Sequence, residues 1–199
     1  MTPLDRLREW LDREHIAEAC ITDPVSIDYL TGFSADTAER LMALAVGADA
    51  AVLVVPALEL ENAESRVREI EVVGWRDGQD PWQALASALG SHSRIAVEKG
   101  HLTLAAAERL QGYTGSAEFA EVGEAIRRLR LVKTPLEVGA LTRAAAATDR
   151  LTARLLETLA GGQTEVEVAT TLARLTAEEG ASASFPALVQ SGRTRLSHT

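Results

Sequence analysis

The side chains able to do chemistry in this chain are few and scattered. Three of its four histidines stand alone: His15 where a helical pattern ends, His92 in the turn Gly90-Ser91-His92-Ser93, and His101 after Gly100 at a helix start. A metal site needs several His, Cys, Asp or Glu ligands converging on one point. The three are isolated from one another, and no His-Glu-x-x-His run occurs, so each reads as a surface or capping residue. The one cysteine, Cys20, has no partner for an internal disulfide or a metal knuckle, and within Ala19-Cys20-Ile21 it reads as a small buried hydrophobe. The acidic pairs in Glu59-Leu60-Glu61 and Glu178-Glu179 fall on helical patterns and read as solvated faces. Gln190-Ser191-Gly192 lacks the first glycine of a Gly-x-Ser-x-Gly nucleophile elbow, which leaves Ser191 as a turn residue. No Gly-x-Gly-x-x-Gly or Gly-x-x-x-x-Gly-Lys-Ser/Thr sequence follows a strand pattern, so nucleotide binding has no support.

The elements that would position these groups alternate. Pro3 to about His15 carries Leu4, Leu7, Trp10 and Leu11 at helical spacing, behind Thr2 as N-cap and Pro3 at the first helical position. Glu18–Thr22 is a short apolar strand run that Asp23-Pro24 stops with a turn. Further strand runs lie at Met42–Val46, Ala51–Val55, Ile70–Val73 and Arg94–Val97, separated by helical patterns at Ala57–Arg68, Trp82–Leu89 and Leu102–Leu110. This alternation predicts an α/β domain. The short Gly47-Ala48-Asp49 turn predicts a hairpin and therefore a mixed sheet. Composition shifts at Gly123 to the basic and apolar run 125–133, placing a domain boundary there: 1–125, then 126–199. Thr134, Pro135 and Glu137 form a strong helix start, and the apolar face continues to Leu159 before Gly161-Gly162. A second helix starts at Gln163-Thr164-Glu165 and runs to about Glu179, and Phe185–Gln190 reads as a strand.

Twenty Lys and Arg against 29 Asp and Glu give a net charge of -9, which argues against a nucleic-acid partner held through its phosphates. The longest apolar stretch, Ala50–Leu58, is too short to cross a bilayer and contains Pro56, so no membrane span is expected. The first residues mix acid and base without an apolar core, which is not the pattern of a signal peptide; a cytoplasmic location is expected.

Several stretches taken together resemble the Xaa-Pro peptidase family of prolidase, aminopeptidase P and creatinase. Asp23-Pro24-Val25-Ser26-Ile27-Asp28-Tyr29-Leu30-Thr31-Gly32-Phe33 is similar to the "N-I-x-Y-L-T-G-F" stretch of its N-terminal domain. Ile126 to Glu137 resembles the junction that opens the catalytic domain, and Gly162-Gln163-Thr164-Glu165 with Phe185–Gly192 resembles its "G-x-T-E … F-x-x-I-V-x-S-G" run. Order and spacing are kept along nearly the whole chain. The resemblance implies a creatinase-like N-terminal α/β domain, its mixed sheet flanked by helices, followed by part of an α+β pita-bread metallopeptidase domain.

The implied activity is hydrolysis of the bond before proline in a small peptide with proline at the second position. In the full-length family member it is carried out by two divalent ions (Mn, Co or Zn). The family holds them with two aspartates, a histidine and two glutamates, all beyond a Pro-His or Leu-His element that Leu196-Ser197-His198 resembles. None of the five ligands has a match here, so no metal is expected in these 199 residues. His198 matches the family's histidine beside substrate and bridging water. The polar loop 34–40 matches one that reaches across a dimer, so a homodimer is implied, with Asp36 and Arg40 placed to meet a charged end of the substrate. The rival reading is a non-catalytic relative whose N-terminal domain binds a peptide or partner.

Overall fold

The computed structural model describes residues 1–115 and 118–191. It divides into two compact units, Met1–Val132 and Lys133–Thr199.

The first unit is built on one six-stranded sheet: β1 (Ala19–Ile21), β2 (Ala43–Val46), β3 (Ala51–Pro56), β4 (Glu71–Trp75), β5 (Arg94–Val97) and β6 (Glu118–Glu121), in spatial order β4-β3-β2-β1-β5-β6. Its helices are α1 (Pro3–Arg13), α2 (Pro24–Thr31), α3 (Leu60–Arg66), α4 (Pro81–Leu89), α5 (Leu104–Thr114) and α6 (Gly123–Leu131). As the short 47–49 turn predicts, β2 and β3 are antiparallel neighbours, while β1, β5 and β6 run parallel, as do β3 and β4. Only β2 runs against the rest, so the sheet is mixed.

Neighbouring residues of one strand enter opposite cores because side chains alternate across a pleated sheet. Ala19 and Ile21 join Leu44, Val46, Leu53 and Val55 under Leu7 and Leu11 of α1, Ile27 of α2 and Ile126 of α6. Cys20 between them joins Ala45, Val54, Ile95 and Val97 beneath Trp82, Leu85 and Leu89 of α4 and Leu110 of α5. A sheet covered on both faces requires strands that are apolar on both sides, which is why β1, β2 and β5 read as continuous apolar runs.

Two elements escape the sequence reading. Asp23-Pro24 does not simply stop a strand: Asp23 caps α2, its Oδ1 accepting the Val25 N–H at 3.0 Å, with Pro24 in the first turn. Strand β6, Glu118-Phe119-Ala120-Glu121, sends Phe119 and Ala120 to opposite covered faces between two exposed glutamates, too short an apolar run to stand out. The unit boundary also differs from 125/126. Ile126 is buried in the first core and α1 packs on α6, so 126–132 belong with the first unit. Limited trypsin digestion is therefore expected to leave a fragment ending at Lys133, just beyond α6. Early cleavage at Arg127 or Arg128 would contradict that packing, since α6 would have to open first.

The second unit contains α7 (Pro135–Thr158) and α8 (Glu165–Glu178), each opened by a reciprocal capping box, Thr134 with Glu137 and Thr164 with Glu167. Glu178 and Glu179 are not merely a solvated face. Arg154 donates to Glu178 at 2.6 Å and Arg150 Nε to Glu179 at 2.6 Å, tying the two helices together. The strand expected at Phe185–Gln190 is absent: the segment has no regular structure, and Phe185 and Leu188 are exposed. A strand needs a hydrogen-bonded neighbour, and among the described residues of this unit there is none; Pro186 further lacks an N–H to donate.

Candidate functional site

The sheet directs the chemistry-bearing residues to one edge. The carboxyl ends of β1, β3, β4, β5 and β6 all point the same way, and the antiparallel β2 begins there. Thr22 and Asp23 follow β1, Asp77 follows β4, Glu98 follows β5, and Arg40 lies shortly before β2. The helix after β1 covers one face and the helix after β5 the other, so the chain diverges between these two adjacent strands. In open α/β sheets such a switch point, at the carboxyl edge, is where ligands bind.

Glu98 is the centre of that edge. It is only 4% exposed, and its Oε2 accepts the backbone N–H of Thr22 at 3.0 Å and of Asp23 at 2.9 Å. These bonds tie the end of β5 to the turn after β1. Burial first, and the negative charge of Glu98 second, push the Cys20 thiol up to about 12, so it is an inert core residue as its sequence context implies. His101 is exposed, as expected, but it is not isolated: its Nδ1 is hydrogen-bonded to Thr22 Oγ1 at 3.0 Å. Two cavities adjoin it. One of about 400 Å³ is lined by Asp23, Ser26, Glu98, His101, Arg127 and Arg130 among others. The other, of about 330 Å³, lies between Arg40, Met42, Trp82 and His101.

Of the residues singled out from the sequence, Asp36 and Arg40 sit on the exposed loop between α2 and β2. Asp36 Oδ1 accepts the Ala38 N–H at 3.1 Å, and Arg40 donates to Asp77 at 2.9 Å. Arg40 reaches the cavity beside His101; Asp36 does not line it. His198 lies outside the described residues. Among those described, no three His, Cys, Asp or Glu side chains are grouped to hold a metal. The carboxylates at the edge are turned to backbone: Glu121 accepts from Lys99 N at 3.0 Å and Gly123 N at 2.5 Å, and Asp23 from Val25 N. This donor set does not fit a two-metal centre. Glu98 itself escapes the sequence reading. The signal available was a lone acid directly after the apolar run Arg94–Val97, at the carboxyl end of a strand.

The opposite edge holds His92. Its Nε2 is 3.2 Å from Glu18 Oε2, an ion-pair distance, yet that buried oxygen accepts no hydrogen bond among the described residues. Desolvation raises the Glu18 carboxyl above its ordinary 4.5, and the nearby His92 only partly offsets it. A carboxyl raised in the folded state favours folding while protonated, and that contribution is lost as pH rises through the raised value. Glu18→Gln should therefore melt like the parent below pH 4 and at a higher temperature than the parent at pH 7; equal melting at both pH values would contradict the desolvation of this group.

Comparison with known proteins agrees with this architecture. The profile of the Creatinase/Prolidase N-terminal domain family matches residues 3–132, nearly the whole first unit. An Xaa-Pro dipeptidase from Lactobacillus helveticus is 34% identical over 198 residues, covering 96% of this chain and 54% of that protein. The chain thus spans about half the length of such curated relatives. The separately solved N-terminal domain of an X-Pro dipeptidase from Streptococcus pyogenes is 34% identical, with a TM-score of 0.58 over 62% of this chain and 95% of that one. The prolidase from Pyrococcus furiosus is 25% identical, with a TM-score of 0.77 over 88% of this chain and 52% of that one. The mixed sheet, the helices on its two faces and the profile match through Val132 converge: this chain belongs to the Creatinase/Prolidase N-terminal domain family.

Proposed function

We propose that this chain is the N-terminal domain and the opening helices of the catalytic unit of a metal-dependent Xaa-Pro dipeptidase, working as a cytoplasmic homodimer on small peptides with proline second. The observation that carries the reading is the extent of the 34% identity. It runs over 198 residues, through the family domain and on into the α7–α8 unit, so both parts follow one Xaa-Pro dipeptidase. In this reading the two divalent ions (Mn, Co or Zn) are held by residues outside the described ones, and they supply a water made nucleophilic near neutral pH. His198 would take the role of the family's histidine that serves the substrate. The test is to express the whole encoding reading frame and assay glycyl-proline with each metal. Proline release that chelation abolishes supports the proposal; a mass-verified product that releases none overturns it.

Asp36 and Arg40 act here by charge, meeting the substrate termini from a loop that crosses the dimer. Arg40 would exchange its exposed bond to Asp77, worth at most about 1 kcal/mol, for the substrate carboxylate. In the complete enzyme, replacing both Asp36 and Arg40 by Ala should raise KM about tenfold, the loss of roughly 1.4 kcal/mol of binding, with the melting temperature unchanged. An unchanged KM would remove both from the substrate site.

A second reading is a peptide- or partner-binding module without chemistry. The same assay separates the two readings.

A further inference from the structure

We propose that the crevice at the carboxyl ends of β1 and β5 binds the ammonium group of a small zwitterion, of amino-acid or dipeptide size, on the Glu98 carboxylate.

The argument begins with what Glu98 lacks. Burying a charge is costly unless it is paired or fully hydrogen-bonded. Glu98 is 4% exposed, and its two accepted bonds, from Thr22 N and Asp23 N, both fall on Oε2. Among the described residues no bond reaches Oε1 and no basic side chain pairs with the group. Oε1 is also absent from the fully enclosed atoms that lack a partner, so it opens toward the crevice. A donor that enters from that side can take the place of water on Oε1.

The surroundings define the donor. The cavity of about 400 Å³ is the size of small-ligand sites and lies where the chain diverges to opposite faces of the sheet. Asp23 and Glu121 join Glu98 in its lining, and Ser26 brings a hydroxyl, so the deep end takes a cation with several N–H groups. A bare metal ion does not fit, because Asp23 and Glu121 are committed to backbone N–H groups and no ligand triad forms among the described residues. A primary ammonium needs only acceptors and matches. Arg127, which donates to Glu124 at 2.7 and 2.8 Å, lines the same cavity with Arg130, so a carboxylate on the ligand would share Arg127 with Glu124. Gly123 keeps the approach open: a Cβ there would come within 2.7 Å of Glu121 Oε1 and 3.9 Å of Glu98 Cβ. The site stands apart from the proposed peptidase chemistry, since its recognition involves no proline.

The test is titration of the ¹⁵N-labelled 199-residue chain with glycylglycine, following the Gly100 and Gly123 amides. Saturable shifts are expected, weakened about tenfold in Glu98→Gln, since an uncharged acceptor forfeits roughly 1.4 kcal/mol of a charge-assisted bond. The glutamine still accepts from Thr22 and Asp23. N-acetylglycylglycine, which keeps size and carboxylate but lacks the ammonium, should leave both amides unmoved. That comparison on the unaltered protein decides the matter even if the variant does not fold. No saturable shift with glycylglycine up to about 10 mM, above the weak end of small-ligand affinity, overturns the proposal. Equal binding of the acetylated peptide does so as well.

Discussion

Purified 199-residue chain, dialysed against Mn, Co or Zn and assayed with glycyl-proline, will retain less than stoichiometric metal and release no proline. The acids that remain are already engaged by the fold. Glu165 accepts from Ser191 N at 2.6 Å, Glu167 closes the α8 capping box, and Glu178 and Glu179 bind arginines of α7 and α8. Arg154 and Arg174 hold Glu178 below the usual carboxylate range, and the Thr164 backbone N–H does the same for Glu167. A carboxylate held by a guanidinium would have to break that pair before binding a metal. At the sheet edge, Glu98, Asp23 and Glu121 are turned to backbone N–H groups. Without metals, a water molecule stays a far weaker acid than metal-bound water, and no nucleophile is available at neutral pH. Elemental analysis of mass-verified protein alongside the assay checks this. Stoichiometric metal together with turnover would show that these residues rearrange into a centre of their own.

Much of the fold was legible because strands covered on both faces are apolar throughout and because helix starts announce themselves. Thr2-Pro3 and Thr134-Pro135 carry the sequence signal of a helix cap, and both threonines cap their helices. Asp23-Pro24 carries the same signal, yet its position directly after the run Ala19-Cys20-Ile21 disguised α2 as a turn. The candidate site was far less legible. Glu98, Thr22, Asp77 and Arg40 are distant in sequence, and only the strand order β2-β1-β5 with β4 beyond β3 brings them to one edge. Local pattern says where a strand runs; it does not say which strands are neighbours. The strand expected at Phe185–Gln190 marks the reverse failure: local apolar character cannot make a strand without a partner to pair with.

Phe33→Ala should lower the unfolding free energy of the first unit by about 3 to 5 kcal/mol, the usual cost of emptying a fully buried phenylalanine site. Phe33 has no exposed surface and is among the largest fully buried side chains of the protein. The stretch that carries the family resemblance ends on it, and the structure gives that stretch a packing role. Gly32 closes α2 at φ 73°, a left-handed conformation that turns the chain so that Phe33 enters the core beside α1 and the sheet. Thr31 Oγ1 donates to Ile27 O at 2.8 Å and accepts the Phe33 N–H at 3.0 Å, fixing the turn. Tyr29 donates to Leu129 O at 3.0 Å and joins α2 to α6, so Tyr29→Phe should cost about 1 kcal/mol. Against total stabilities of about 5 to 15 kcal/mol, the phenylalanine change alone removes a large share. Urea unfolding followed by tryptophan fluorescence measures it cleanly, because Trp10, Trp75 and Trp82, the protein's three tryptophans, all lie in the first unit. Asp36→Ala, on the exposed loop just beyond, should change the same free energy by less than about 0.5 kcal/mol. Equal effects at Phe33 and Asp36 would mean that the Gly32-Phe33 turn does not anchor the core and that its sequence must be explained by chemistry instead.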